Sequence, residues 1–115
     1  MIKMDYCKIK QNGKERTFRF KIPTAWDGAA IFNFLSSYGI PFSPSGKVMP
    51  PKDLTELMKL CLKYCYEDLP ENKAPVVDED GNIGIIGGEN DAPLIVHIAV
   101  QYMVFFYDWW KAETS

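Results

Sequence analysis

The sequence predicts an α+β fold, mainly helical, with an N-terminal β-hairpin followed by three helices, the last one long and apolar nearly all round. Three observations lead there. Residues 4–10 and 16–22 flank the dipeptide Asn12-Gly13, and in the second arm Phe18, Phe20 and Ile22 alternate with Thr17, Arg19 and Lys21, the pattern of a strand with one buried face. Residues near 24–38 and 53–69 repeat apolar side chains at helical spacing behind residues suited to capping. In "APLIVHIAVQYMVFFYDWW", residues 92–110, only His97, Gln101 and Asp108 break a run of aliphatic and aromatic side chains.

With 115 residues the chain fits one domain, 1–115, large enough to bury a core but small enough that every long apolar segment must serve it. The hairpin rests on Asn-Gly, the pair that best tolerates the positive φ angles of a tight turn. For the first helix, 24–38, Thr24 is the expected cap, Asp27 favours the positive end of the helix dipole, and Gly39 closes the element in a left-handed cap. "IPFSPSGKVMPP" then places four prolines and a glycine in twelve residues, which reads as an irregular connection of fixed shape. The second helix, 53–69, pairs Asp53 with Glu56 at its start. Its buried face runs through Leu54, Leu57, Met58, Cys61, Leu62, Cys65 and Leu69, and Pro70 stops it. Residues 70–90 are rich in Pro, Gly and acid and read as a mobile loop able to close into a small hairpin around Asp80-Gly81.

Composition narrows the function classes. Thirteen Lys and Arg stand against 15 Asp and Glu, so the chain has no surplus of cations for phosphates, and nucleic acid is not the expected partner. The weak basic cluster from Lys8 to Lys21 falls on strand sequence whose polar face is solvated in any case. The N-terminus lacks the apolar region of a signal peptide, and three cysteines without a short-range framework suit reduced thiols, so a cytoplasmic protein is expected. Cys61 and Cys65 are expected as buried thiols of the second helix rather than zinc ligands with Cys7 and His97. Asp78, Asp80, Asn82 and Glu89 have the spacing of a calcium loop, but Ile83 stands where the sharp turn needs glycine. "GNIGIIGG" lacks the Lys-Ser/Thr of a phosphate loop. No metal or cofactor is therefore expected. His97 is the only histidine and no nucleophile is set beside it, so no enzyme is expected either.

The last helix, near 92–112, has Asp91 as cap and Pro93 in its first turn. The run from Leu94 to Trp110 would be about 25 Å long, too short for a bilayer, and its flanks carry no positive bias, so no membrane span is expected. At 100° per residue its polar side chains share one stripe of about 80° with Val104, leaving some 280° apolar, where a surface helix of a small domain buries little more than 100°. One side holds Ile98, Tyr102, Phe105 and Trp109. The other holds Val96, Val100, Met103, Tyr107 and Trp110. Two readings follow: a central helix wrapped by the rest of the fold, or a helix with one side in the core and the other against a partner. Met, Tyr and Trp favour Val96, Val100, Met103, Tyr107 and Trp110 as the partner-binding side, with self-association a further way to cover it.

The order of elements adds a resemblance. A hairpin, then "FKIPTAWDGAAIFNFLSSYG", a middle helix ending "CLKYCYEDLP", an acidic loop, and "NDAPLIVHIAVQYMVFFYDWW" with its cluster Phe105, Phe106, Tyr107, Trp109 and Trp110 resemble the tail assembly chaperones of long-tailed bacteriophages and prophages. The resemblance covers most of the chain and matches the aromatic cluster in kind. It implies a non-catalytic protein that coats the tape measure protein, keeps its apolar helices soluble and helps recruit tail tube protein. An ending "DWWKAETS" is compatible with the short form of such chaperones, which often also occur in a longer frameshifted form. A small structural head–tail or tail-completion protein, which stays in the virion, is the alternative.

Overall fold

The computed structural model describes residues 5–44, 46–71, 73–78 and 92–114. Their order is β1 (Tyr6–Gln11), β2 (Lys14–Phe20), α1 (Ala25–Tyr38), α2 (Pro51–Leu62), β3 (Cys65–Asp68), β4 (Lys73–Pro75) and α3 (Ala92–Thr114). The architecture is α+β: the N-terminal hairpin and the three helices are present, but the hairpin is half of a larger antiparallel sheet of order β1-β2-β3-β4. Asn12 (φ 53°) and Gly13 (φ 78°) make the hairpin turn, with Gln11 opposite Lys14, as the Asn-Gly pair dictates.

The second helix departs from expectation. It begins earlier, with Pro51 in its first turn, and ends at Leu62 rather than near residue 69. Cys65 to Asp68 form a strand, with Phe20 opposite Cys65, Arg19 opposite Tyr66 and Phe18 opposite Glu67. The open edge of β2 offers these residues ladder hydrogen bonds, and alternation buries Cys65 and Glu67, so sheet pairing overrides the helical spacing of Cys65 and Leu69. Part of the expected loop is also ordered, since β4 pairs Ala74 with Glu67 and Lys73 with Asp68. Val76, just after β4, is buried in the core, while residues 79–91, with Asp80-Gly81 and most of the calcium-like spacing, lie outside the described residues.

Capping likewise differs in detail. Thr24 occupies the N-cap of α1 with extended backbone, but its hydroxyl makes no cap bond and lies 3.2 Å from the Tyr64 phenol oxygen. Asp27 accepts from the Tyr64 hydroxyl and from Lys63 Nζ at 2.9 Å, which pins the start of α1 to the α2–β3 junction. Gly39 has the positive φ expected of a closing glycine, 80°, with an extended ψ, and donates to the Leu35 carbonyl. At α2 the N-cap is Pro50, and Asp53 accepts instead from the Tyr38 hydroxyl of α1.

The core lies between one face of the sheet and the helices. Cys7, Phe18, Phe20 and Cys65 meet Ile31 of α1, Leu57 and Cys61 of α2, and the buried side of α3. Phe20 packs edge-to-face on Tyr102 with centroids 5.4 Å apart, and the Tyr102 hydroxyl donates to the Lys21 carbonyl at 2.7 Å. Cys7, Cys61 and Cys65 are buried free thiols, as expected for Cys61 and Cys65, although Cys65 sits on a strand and only Cys61 on the helix. Arg16 forks onto Glu67 through Nε at 2.9 Å and Nη2 at 2.7 Å, which pairs a carboxylate that is almost wholly buried.

Candidate interaction surface

Burial around α3 decides which of its sides is available. Leu94, Ile95, Ile98, Ala99, Tyr102, Met103, Phe105 and Phe106 are buried. The exposed residues His97, Val104, Tyr107, Asp108 and Lys111, with half-buried Val100 and Gln101, fall in one arc of about 120° when successive residues turn 100°. The polar stripe thus lies in this arc, and most of the apolar circumference serves the core. α3 is the central helix of the fold for about two thirds of its girth.

The five residues of the expected partner side separate. Met103 is fully buried in the core and cannot face a partner, which corrects its assignment. The reason is angular: Met103 lies some 40° further from the polar stripe than Tyr107, beyond the point where α3 passes under its neighbours. Trp110 is half-buried and stacks on Phe32 of α1, with centroids 4.4 Å apart, so its ring already has a partner within the chain. Val96 and Val100 are half-buried, and Tyr107 is 45% exposed under the ammonium of Lys111, whose Nζ lies 4.7 Å from the ring centroid. Val104, which shared the polar stripe in the sequence, is 40% exposed and belongs with this group.

The α1–α2 connection completes a surface. Gly39, Ile40, Pro41, Phe42 and Ser43 stand beside Val100, Val104 and Tyr107 and enclose with them a groove of about 470 Å³. Pro41 is buried and anchors the segment, while Phe42, one residue on, is 71% exposed. Phe42 also holds φ 66°, a left-handed conformation that a bulky residue adopts at a cost of about 1 kcal/mol. The loop enforces it through bonds from Ser43 N–H to the Ile40 carbonyl and Gly46 N–H to the Ser43 carbonyl. A Cβ on Gly46 would stand 2.9 Å from the Ile40 oxygen, so the turn tolerates no side chain there. The result is a phenyl ring held out into solvent at the rim of an apolar groove. Sequence reasoning missed Phe42, because a proline-rich connection reveals its rigidity but not which side chain it turns outward.

Other exposed apolar side chains, Ile22, Trp26, Phe32, Val48 and Leu69, lie outside the groove lining. Trp26 is 87% exposed at the start of α1, and Val48 94% exposed before α2; neither lines the groove. Single exposed apolar residues are ordinary on soluble surfaces, whereas the groove gathers several. Among the described residues no cluster of His, Cys, Asp and Glu could hold a metal ion, and no helix is long and apolar enough to cross a membrane. Comparison of the chain with protein-family models, curated proteins and solved structures finds no match.

Proposed function

We propose that the chain is a non-catalytic binding protein whose groove between α3 and the 39–43 segment takes an apolar helix of a client. The observation that carries this reading is the groove itself: Phe42, Val100, Val104 and Tyr107 are apolar, adjacent and accessible, and Phe42 is kept outward by backbone that pays for it in strain. A groove of this form accommodates the ridge of an amphipathic helix, read as apolar anchors at i, i+3 or i+4, and i+7. A second copy of the chain is the expected occupant when no client is present.

Within that class the particular reading is a tail assembly chaperone of a long-tailed phage or prophage. It is supported by the resemblance of the chain, by the aromatic cluster ending α3 and by the requirement that such a protein bind apolar helices of a tape measure protein. Recruitment of tail tube protein belongs to the same proposal, as does work in the bacterial cytoplasm.

The test is co-expression of an aggregation-prone tape measure fragment with the wild-type chain, with the double variant Val104→Asp, Tyr107→Asp, and with Trp26→Ser as control for general stickiness. The proposal expects soluble fragment with wild type and Trp26→Ser and none with the double variant, all three proteins melting cooperatively. A double variant that folds and still rescues the fragment moves the client away from the groove. Presence of the protein in purified virions would favour the structural head–tail reading over the chaperone.

A further inference from the structure

Strand β1 is an edge of the sheet, and its register fixes which peptide groups face outward. In a two-residue hairpin the residues flanking the turn, Gln11 and Lys14, exchange ladder bonds, so Ile9 and Cys7 also bond to β2, and the Asp5 carbonyl accepts from Phe20 N–H at 2.8 Å in the same phase. The alternate residues Tyr6, Lys8 and Lys10 therefore direct N–H and C=O away from β2, and among the described residues no strand lies beyond them.

Their side chains share the sheet face opposite the core. Cys7 and Phe18 point into the core, so Tyr6, Lys8 and Lys10 project outward together with Arg19 and Tyr66. Lys21 and Lys73 join them: their ammonium groups lie 5.2 and 5.1 Å from the Tyr66 ring centroid, and Arg19 lies 5.5 Å from that of Tyr6. On this face Glu15 and Asp68 offset only part of the charge, through Lys8 at 3.6 Å and Arg19 at 2.6 Å. The chain as a whole has a formal net charge of −2, whereas this face sets Lys8, Lys10, Arg19, Lys21 and Lys73 against Glu15 and Asp68.

The geometry points to β1 as a docking edge for an extended acidic segment of a partner protein, which adds as a fifth strand. An antiparallel strand would exchange backbone bonds with Tyr6, Lys8 and Lys10, and the residue opposite each would project on the same basic face, with Cα atoms about 5.5 Å apart. Acids opposite Lys8 and Lys10 meet ammonium groups, and the residues between them, on the core side, continue the apolar row of Cys7 and Ile9. The segment so defined reads acidic, apolar, acidic, apolar, with an aromatic or apolar residue opposite Tyr6. Charge complementarity alone would also suit a single-stranded nucleic acid, but only a peptide uses the outward N–H and C=O groups. Lysines on an edge ordinarily discourage self-pairing, so the same residues reject a second copy of β1 while admitting an acidic strand. This surface is on the far side of the sheet from the helices and does not depend on the client groove.

The experiment uses the full chain and a fluorescent Glu-Val-Glu-Val-Tyr peptide, with a Lys-Val-Lys-Val-Tyr peptide and oligo(dT) as alternatives. The acidic peptide is expected to bind, and Lys8→Glu with Lys10→Glu to weaken it at least about tenfold while favouring the lysine peptide. Lys8→Pro removes an outward N–H without touching a β1–β2 bond, so it should weaken binding more than Lys8→Gln, which removes the charge alone. Hydrogen exchange on the unmodified chain supplies a readout independent of variant folding: the acidic peptide should slow the Tyr6, Lys8 and Lys10 amides, with Cys7 and Ile9 already protected. Failure of the acidic peptide to bind, binding without slowing of those amides, equal losses from Lys8→Pro and Lys8→Gln in folded variants, or binding of oligo(dT) in its place would each overturn the proposal.

Discussion

The carboxylate of Asp27 shows how one residue can serve a fold in a way its local sequence does not announce. The Tyr64 hydroxyl, and after it the Lys63 ammonium, hold Asp27 below the usual carboxylate range, and Asp27 in turn raises Lys63. A carboxylate whose folded pKa is depressed contributes stability above its unfolded value, near 4, and loses it as pH falls through the folded value. Asp27→Asn should therefore be less stable than wild type by a constant amount above about pH 5, and the gap should close in acid; urea titrations across pH 2 to 7 would measure it. The thiols follow the opposite sign. Burial pushes Cys7 up to about 11, and Cys61 and Cys65 are raised as well, so stability held below the unfolded value, near 8.5, drains as pH rises past it. All three should resist a disulfide reagent at pH 8 and react only at the rate of global unfolding, with fast labelling of the native protein as the contrary result.

At the scale of elements, two glycines separate backbone demand from packing. Gly13 has φ 78° with open space around an added Cβ, so Gly13→Ala should lose about 1 kcal/mol through conformation alone. Gly28 lies in α1, where an added Cβ would meet Pro23 at 3.5 Å and Phe106 at 3.9 Å, ordinary contacts, so Gly28→Ala should gain up to about 1 kcal/mol from helix propensity. Thermal melts of the two variants should shift in opposite directions. The hairpin, α1 and α3 were legible because their signals are local: an Asn-Gly turn, a closing glycine, an unbroken apolar run. β3 was not legible, since Cys65 and Leu69 continue the spacing of α2 and neither Gly nor Pro marks the break at Lys63 and Tyr64. What cuts the helix short is the open edge of β2, far away in sequence, and the one local hint is the strand preference of aromatic residues in Tyr64-Cys65-Tyr66. The surface was legible to the same degree. Helical angles place Val100 and Tyr107 on the side of α3 that lines the groove, but the boundary that hides Met103 and the loop that supplies Phe42 are products of packing.

For the whole molecule, α3 is the piece on which the sheet and the other helices close. Met103→Asp places a charge among fully buried neighbours and should abolish cooperative melting, whereas Tyr107→Asp, four residues on, should leave it within about 1 kcal/mol of wild type. Tyr102→Phe removes the bond to the Lys21 carbonyl and should lose about 1 kcal/mol in denaturant titration. Those paired positions, Lys21 and Tyr102, lie 81 residues apart in the chain. Synthesis runs from the N-terminus at roughly 5–20 residues per second, so the hairpin and first two helices emerge seconds before the helix that covers them. During that interval Phe18, Phe20, Ile31 and Leu57 have no α3 to pack against, and the nascent chain is an apolar surface in search of a partner. A protein built this way reaches its native state only after α3 has left the ribosome, so the last helix made is the one that closes the core.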